Sequence, residues 1–204
     1  MLPDEPAPVR LMNTIWADRH GVHDALSTPD DLRAWLGAVS ADPDMRDRSR
    51  IRPGDVRRFR TLRDAVRDLA ALVTDDTRPL AGSVSVSISR AIAGVNDAAA
   101  RADLSPRLVH RDGELRRVTT AAGAVDRALS SIAQQAIDLL AGAGSGTLRA
   151  CHAPGCVLYF VKDHPRREWC STACGNRARA ARHYERHHKK ADQLDRAHHG
   201  IDRT

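Results

Sequence analysis

The chain has only four cysteines in 204 residues, and they sit together: Cys151, Cys156, Cys170 and Cys174, spaced C-x4-C-x13-C-x3-C. Thiolates are soft ligands, and four of them close a tetrahedral shell around Zn²⁺ with no position left for water. The pattern therefore predicts one structural zinc and argues against a catalytic one. Buried free thiols or a disulfide are the competing readings. The lack of cysteine elsewhere and an expected reducing compartment favour the metal. A module of about 40 residues buries too little apolar surface to fold without such a staple.

The length allows one mid-sized domain followed by a small one. No apolar run approaches the ~20 residues that span a bilayer, so no membrane partner is expected. The opening MLPDEPAPVRLMNTIW is acidic and proline-rich before it turns apolar, unlike a secretory signal, and a cytoplasmic location is expected. Charge is unevenly spread. Residues 145–204 hold 12 Lys and Arg against 6 Asp and Glu, whereas residues 1–144 hold 20 of each. A coding bias toward arginine would act on both parts, so it cannot explain this asymmetry.

Along the first part, residues 1–10 read as a loose arm and Leu11 to Trp16 as a short buried apolar stretch. Thr28-Pro29-Asp30-Asp31 is a helix start: a capping hydroxyl, a proline at the first position and acids where the helix dipole favours them. Leu32, Trp35, Leu36 and Val39 continue at helical spacing. Pro53-Gly54-Asp55 opens a second helix with a stripe of Val56, Phe59, Leu62, Val66, Leu69 and Val73. The charged run from Asp42 to Arg52 between them reads as a loop. A helix is expected from about Pro79 to Ala100, despite strand-like alternation over residues 83–89. Asp112-Gly113 between two apolar runs signals a hairpin. Residues 121–141 return to helical spacing, and the glycines of 142–146 end that helix and serve as a linker.

No phosphate-cradling loop or cysteine nucleophile stands out in residues 1–144. His20, His23 and Asp24 lie close in sequence; a polar surface loop explains them better than a pocket. In the second part, Pro154-Gly155 lets the backbone turn around the metal and 157–161 reads as a strand. Tyr159, Phe160 and Trp169 form the expected mini-core. Ser171 is the expected N-cap of a helix starting near Thr172, which places Cys174 in its first turn. Beyond it, Arg179, Arg182, Arg186 and Lys190 recur at three- and four-residue spacing as one cationic stripe, with Arg177 just before it and Lys189 alongside. Four thiolates on one zinc carry a formal −2, which leaves residues 151–190 near +4, enough for salt-dependent phosphate contacts. A solvated helix and an acidic protein partner remain open as readings of the stripe. His183 and His187 lie four apart on one helical face and invite a second metal; with no carboxylate or cysteine to complete a site, a polar, solvated tail is the better reading.

At Cys170-Ser171-Thr172-Ala173-Cys174-Gly175-Asn176-Arg177 the chain resembles the CGNR zinc-finger family, in which an N-terminal ABATE-type domain precedes a C-terminal finger and the whole is described as a stress-induced transcription regulator. Phe160 to Asp163 and Arg166 to Cys170 extend the likeness. Asn13-Thr14, Leu32 to Leu36, Leu62 to Ala65 and Pro106 to Val109 resemble the ABATE-type pattern. The resemblance implies zinc on the four cysteines and DNA binding by the finger. One departure is visible: three residues separate Cys170 from Cys174 where some members have four, which shifts a ligand's register at the helix start.

The expected fold is mainly α with a small β-hairpin (α+β). A helical part over 1–144 senses a small molecule or forms a homodimer. A treble-clef-like finger over 145–204 ends in a basic helix. DNA contacts are expected from Arg177, Arg179, Arg182, Arg186, Lys189 and Lys190. Asn176 is expected to support the metal ligands by hydrogen bonding, and Arg177 is equally suited to clamp the finger. The leading reading is a zinc-binding transcription regulator that is not an enzyme. A zinc-stabilised protein-interaction module is the alternative, and an enzyme or ligand sensor with a pocket in the first part ranks behind it.

Overall fold

One long helix organises the first part of the molecule. Arg52 precedes it with extended backbone, and its N–H donates to the Asp55 carboxylate at 2.7 Å, which ties the helix start together around Pro53. In the computed structural model the backbone is described for residues 2–39, 51–78, 88–102, 106–119, 123–142 and 144–199; for 106–107, 118–119 and 188–199 it is described without side chains. The helices are α1 (Ala7–Met12), α2 (Pro29–Val39), α3 (Pro53–Val73), α4 (Ile88–Ala100), α5 (Ala124–Ala141) and α6 (Thr172–His199). Among the described residues the strands form three separate antiparallel pairs: β1 (Ile15–Asp18) with β2 (Gly21–Asp24), β3 (Pro106–Arg111) with β4 (Glu114–Thr119), and β5 (Leu148–Ala150) with β6 (Tyr159–Val161). The fold is mainly α with small antiparallel strand pairs.

Helix α3 packs against α1, α2, α4 and α5, and its Val56, Phe59, Leu62 and Val66 lie in the core with Leu32, Trp35 and Leu36 of α2. The stripe expected on α3 runs short of its end, because Val73 is exposed. Gly94 of α4 faces Ala65 of α3; a Cβ there would sit 3.5 Å from the Ala65 methyl, ordinary contact, so the two helices approach closely. At the β3–β4 turn, Asp112 and Gly113 both have positive φ, the geometry that Asp-Gly supplies in a two-residue hairpin.

Several expectations change. Residues 7–10, expected in a loose arm, belong to helix α1 and Val9 is fully buried; Leu11 and Met12 are buried as expected. In the stretch after them, burial stops at Thr14; Trp16 is 40% exposed on β1. His20 lies in the turn of the β1–β2 hairpin, and His23 and Asp24 are on β2, in place of the expected surface loop. The helix expected from Pro79 is seen from Ile88; residues 79–87 lie outside the described residues, as does most of the charged run 42–52.

Tyr159 is the largest correction. On β6, successive side chains point to opposite faces. Tyr159 enters the core of the first part, whereas Phe160 enters the cysteine cluster, against which Trp169 packs. The strand itself begins at 159, not 157. Leu148 and Ala150 of β5 join Tyr159 in the helical core, so that core extends past the glycine-rich turn at 142–146.

Candidate metal centre

The loop between β5 and β6 carries the first cysteine pair. Gly155 sits at φ +70°, in the left-handed region, and Cys156 N–H donates to the Ala153 carbonyl at 2.9 Å, closing the tight turn between the ligands. Cys151 N–H donates to the Leu158 carbonyl at 3.0 Å, which holds the two ends of the loop together. The second pair straddles the start of α6. Ser171 caps that helix, its hydroxyl accepting from Cys174 N–H at 3.2 Å, so Cys170 precedes the helix and Cys174 lies in its first turn.

These two short segments bring all four sulfurs within 4.8 Å of one another, and all four cysteines are buried. Cys156 and Cys170 Sγ are 3.8 Å apart and Cys170 and Cys174 Sγ are 3.4 Å apart. Four sulfurs at about 2.3 Å from one zinc would stand about 3.8 Å apart, so the cluster fits a tetrahedral ion. The three-residue gap between Cys170 and Cys174 does not displace either sulfur from the cluster. Charge points the same way. Without a cation, hydrogen bonds from Cys156 and Cys170 pull the Cys151 thiol far down, and that pushes Cys156 and Cys170 up. Four neighbouring sulfurs cannot all ionise unless a dication offsets them, and Zn²⁺ does that. The four cysteines form one structural zinc site.

The Arg177 guanidinium donates to Cys174 Sγ at 3.3 Å, a charge-assisted contact to a metal-ligating sulfur. Asn176 faces elsewhere: its side-chain oxygen accepts from Arg179 at 2.5 Å. Gly175 is buried under the Trp169 ring, and a Cβ there would stand 3.1 Å from its Cδ1. The glycine of the Cys-Gly-Asn-Arg run therefore makes room for Trp169. Ala178 is buried in the same cluster.

The basic stripe continues outward on α6. Arg179, Arg182 and Arg186 are exposed, and among the described residues none pairs with an acid. Arg182 and Arg186 lean back along the helix, donating to the carbonyls of Ala178 and Arg182 at 3.4 and 3.3 Å. Lys189 and Lys190 lie on the helical backbone, but their side chains are outside the described residues.

Sequence reasoning missed how the finger is held. Asn13 at the end of α1 acts as a strand partner for Tyr159: its amide donates to the Tyr159 carbonyl at 2.8 Å and accepts from Tyr159 N–H at 2.9 Å. Buried Glu5 accepts from Val161 N–H at 2.8 Å and from Arg167 at 2.5 Å. Arg67 of α3 donates to the carbonyls of Met12 and Val157 at 2.9 and 3.3 Å. Arg78, after α3, reaches the zinc loop, donating to the carbonyls of Cys151 and Cys156. Its carboxylate partner, Asp76, also accepts from the Tyr159 hydroxyl at 2.7 Å. Burial would raise the Asp76 carboxyl, but the hydrogen bonds from Arg78 and Tyr159 outweigh it and hold it below its ordinary value. Burial, reinforced by that carboxylate, pushes the Tyr159 phenol up. The Arg67 and Arg78 guanidinium carbons lie 5.3 and 5.2 Å from the Tyr159 ring centre. Arg63 is 2% exposed and pairs with Asp24 at 2.6 Å.

His20, His23 and Asp24 do not converge. His23 stacks on Trp16 and meets Asp18, His20 accepts from Arg19, and Asp24 is held by Arg63 and Arg60. No described helix is long and apolar enough to cross a membrane.

Residues 5–143 match the ABATE family model, whose description is "Putative stress-induced transcription regulator", and residues 147–187 match the CGNR zinc finger. Neither description is that of an enzyme. No curated protein matches the chain. With matches spanning the helical core and the four-cysteine site in turn, the chain belongs to the ABATE family and carries a CGNR zinc finger.

Proposed function

We propose that this zinc-binding regulator contacts DNA through the basic face of α6. Arg179, Arg182 and Arg186 supply the phosphate contacts, Lys189 and Lys190 add charge further along, and Arg177 supports the zinc sulfur. The observation that carries the reading is the stripe's availability: three arginines exposed on one helix face, without acidic partners among the described residues. The zinc fixes where that helix begins and does no chemistry itself. Residues 145–204 act as the DNA-reading part and residues 1–144 as a sensor or dimerisation part, divided at the glycine-rich turn. A small ligand of the first part would enter a groove of about 360 Å³ among α3, α4 and α5, lined by Arg57, Thr61, Asp97 and Arg101 together with Leu62 and Leu129.

Genome-wide mapping of bound sites, with the Arg179→Ala/Arg182→Ala/Arg186→Ala variant as control, tests the reading and reveals the sequence read. Undiminished DNA affinity in a folded, zinc-loaded triple variant overturns the assigned face. A zinc-stabilised protein-interaction module is the second reading. It is favoured by the β3–β4 hairpin, which holds Leu108 and Leu115 each 69% exposed. That reading predicts no salt-dependent DNA affinity at all.

A further inference from the structure

The exposed face of α6 holds a second convergence of ligand atoms. His183 and His187 are four residues apart, and a hydrogen bond joins their Nε2 atoms at 3.0 Å, with ring centres 4.2 Å apart. Both residues are exposed. Histidines at this spacing on a helix present their nitrogens to one ion.

The nitrogen separation is short enough for both rings to reach one ion. If each nitrogen lies about 2.0–2.1 Å from a shared ion, a 3.0 Å separation subtends about 95° at that ion. That lies close to the cis edge of a tetragonal shell, and a few tenths of an ångström of ring movement reaches the about 109° of a tetrahedral one, so both geometries are open to the pair. The cysteine cluster is soft, closed and tetrahedral; the imidazole pair is harder and open. The two centres therefore differ in softness and in access to solvent. Arg179, Arg182 and Arg186 on the same helix oppose any cation, which favours the strongest binder of the divalent series, Cu(II), ahead of Ni(II).

We propose that His183 and His187 form a second, solvent-exposed metal site for a Cu(II)- or Ni(II)-class ion, with water completing the shell. Occupancy closes a link across one helical turn. That turn lies just beyond Ala178, the last buried residue of α6 among those whose side chains are described, where the finger's core no longer supports the helix. The bound ion thus clamps the segment carrying Arg182 and Arg186. The proposal stands independently of DNA contact.

The test uses tag-free, zinc-loaded full-length protein, titrated with Ni²⁺ and with Cu²⁺ by calorimetry at neutral pH, with zinc content measured before and after. Three variants are compared: His183→Gln, His187→Gln, and the tail variant His188→Gln/His198→Gln/His199→Gln. One added ion per chain, zinc unchanged, a Cu(II) spin-resonance spectrum with imidazole nitrogen couplings and increased helicity by circular dichroism are expected. Each single variant should weaken binding by about tenfold or more, because a chelate becomes a single ligand, while the tail variant keeps the site. Binding that survives in both single variants, that vanishes in the tail variant, that displaces zinc, or that is absent altogether overturns the proposal.

Discussion

Arg78 donates from Nη1 to the backbone carbonyl of Cys151 at 2.8 Å, joining a residue at the end of the helical part directly to a zinc ligand. The same nitrogen donates to the Cys156 carbonyl at 2.9 Å, so one guanidinium spans both ends of the ligand loop. Asp76 holds that guanidinium from the other side at 2.6 Å. A planar fork with a fixed charge suits this work, since it can satisfy two carbonyls and a carboxylate together.

Arg78→Ala should destabilise the protein by about 3 kcal/mol or more, because it leaves the Asp76 carboxylate buried without its cation. Arg78→Lys should recover little, since an ammonium cannot reproduce the fork. Denaturant unfolding of the zinc-loaded proteins measures both effects. A neutral Arg78→Ala would show that the contact contributes nothing to stability.

Removing zinc should be felt beyond the finger. Chelation, or Cys174→Ser, should abolish the single bound zinc and lower the melting temperature of the whole helical signal, because Tyr159, Leu148 and Ala150 belong to the helical core. Thermal melts followed at 222 nm, with and without chelator, decide it. An unchanged helical melt would mean that the two parts unfold independently.

Gly175→Val should displace the Trp169 ring, which already lies 3.1 Å from where a Cβ would stand. Overpacking of this kind costs about 1–3 kcal/mol. The readout is a red-shifted Trp169 emission in a background where Trp16 and Trp35 are Phe. An emission maximum identical to the parent would show that the ring does not rest on the glycine.

For the basic face, the triple Arg179/Arg182/Arg186→Ala variant should retain zinc and helicity. The slope of log affinity against log salt should shrink by about 2.7 on duplex DNA if each arginine neutralises one phosphate. Fluorescence anisotropy across a salt series measures it. An unaltered slope would remove these three side chains from the contact.

Local pattern made some of this molecule readable from the residues alone. Pro29 and Pro53 open helices because their fixed φ suits a first turn, and Asp112-Gly113 turns a hairpin because both positions need positive φ. Ser171 caps α6 three residues before Cys174, a purely local arrangement. Arg63 and Arg67 carried no such signal. An arginine on an amphipathic helix ordinarily marks the solvent face, and partners far along the chain help make its burial tolerable: Asp24, together with the neighbouring Asp64, for Arg63, and the Met12 and Val157 carbonyls for Arg67.

The chemistry of the metal site was determined by the sequence itself, because the kind and spacing of four thiolates decide which ion they can close upon. So was the charge of the helix that follows, since charge is a property of composition. Where the finger sits was decided by the tertiary structure alone. Asn13 and Tyr159 are 146 residues apart, yet their paired hydrogen bonds seat the finger's strand against α1. Backbone hydrogen-bonding capacity is the same at nearly every residue, so no pattern in the sequence says which distant side chain will satisfy it.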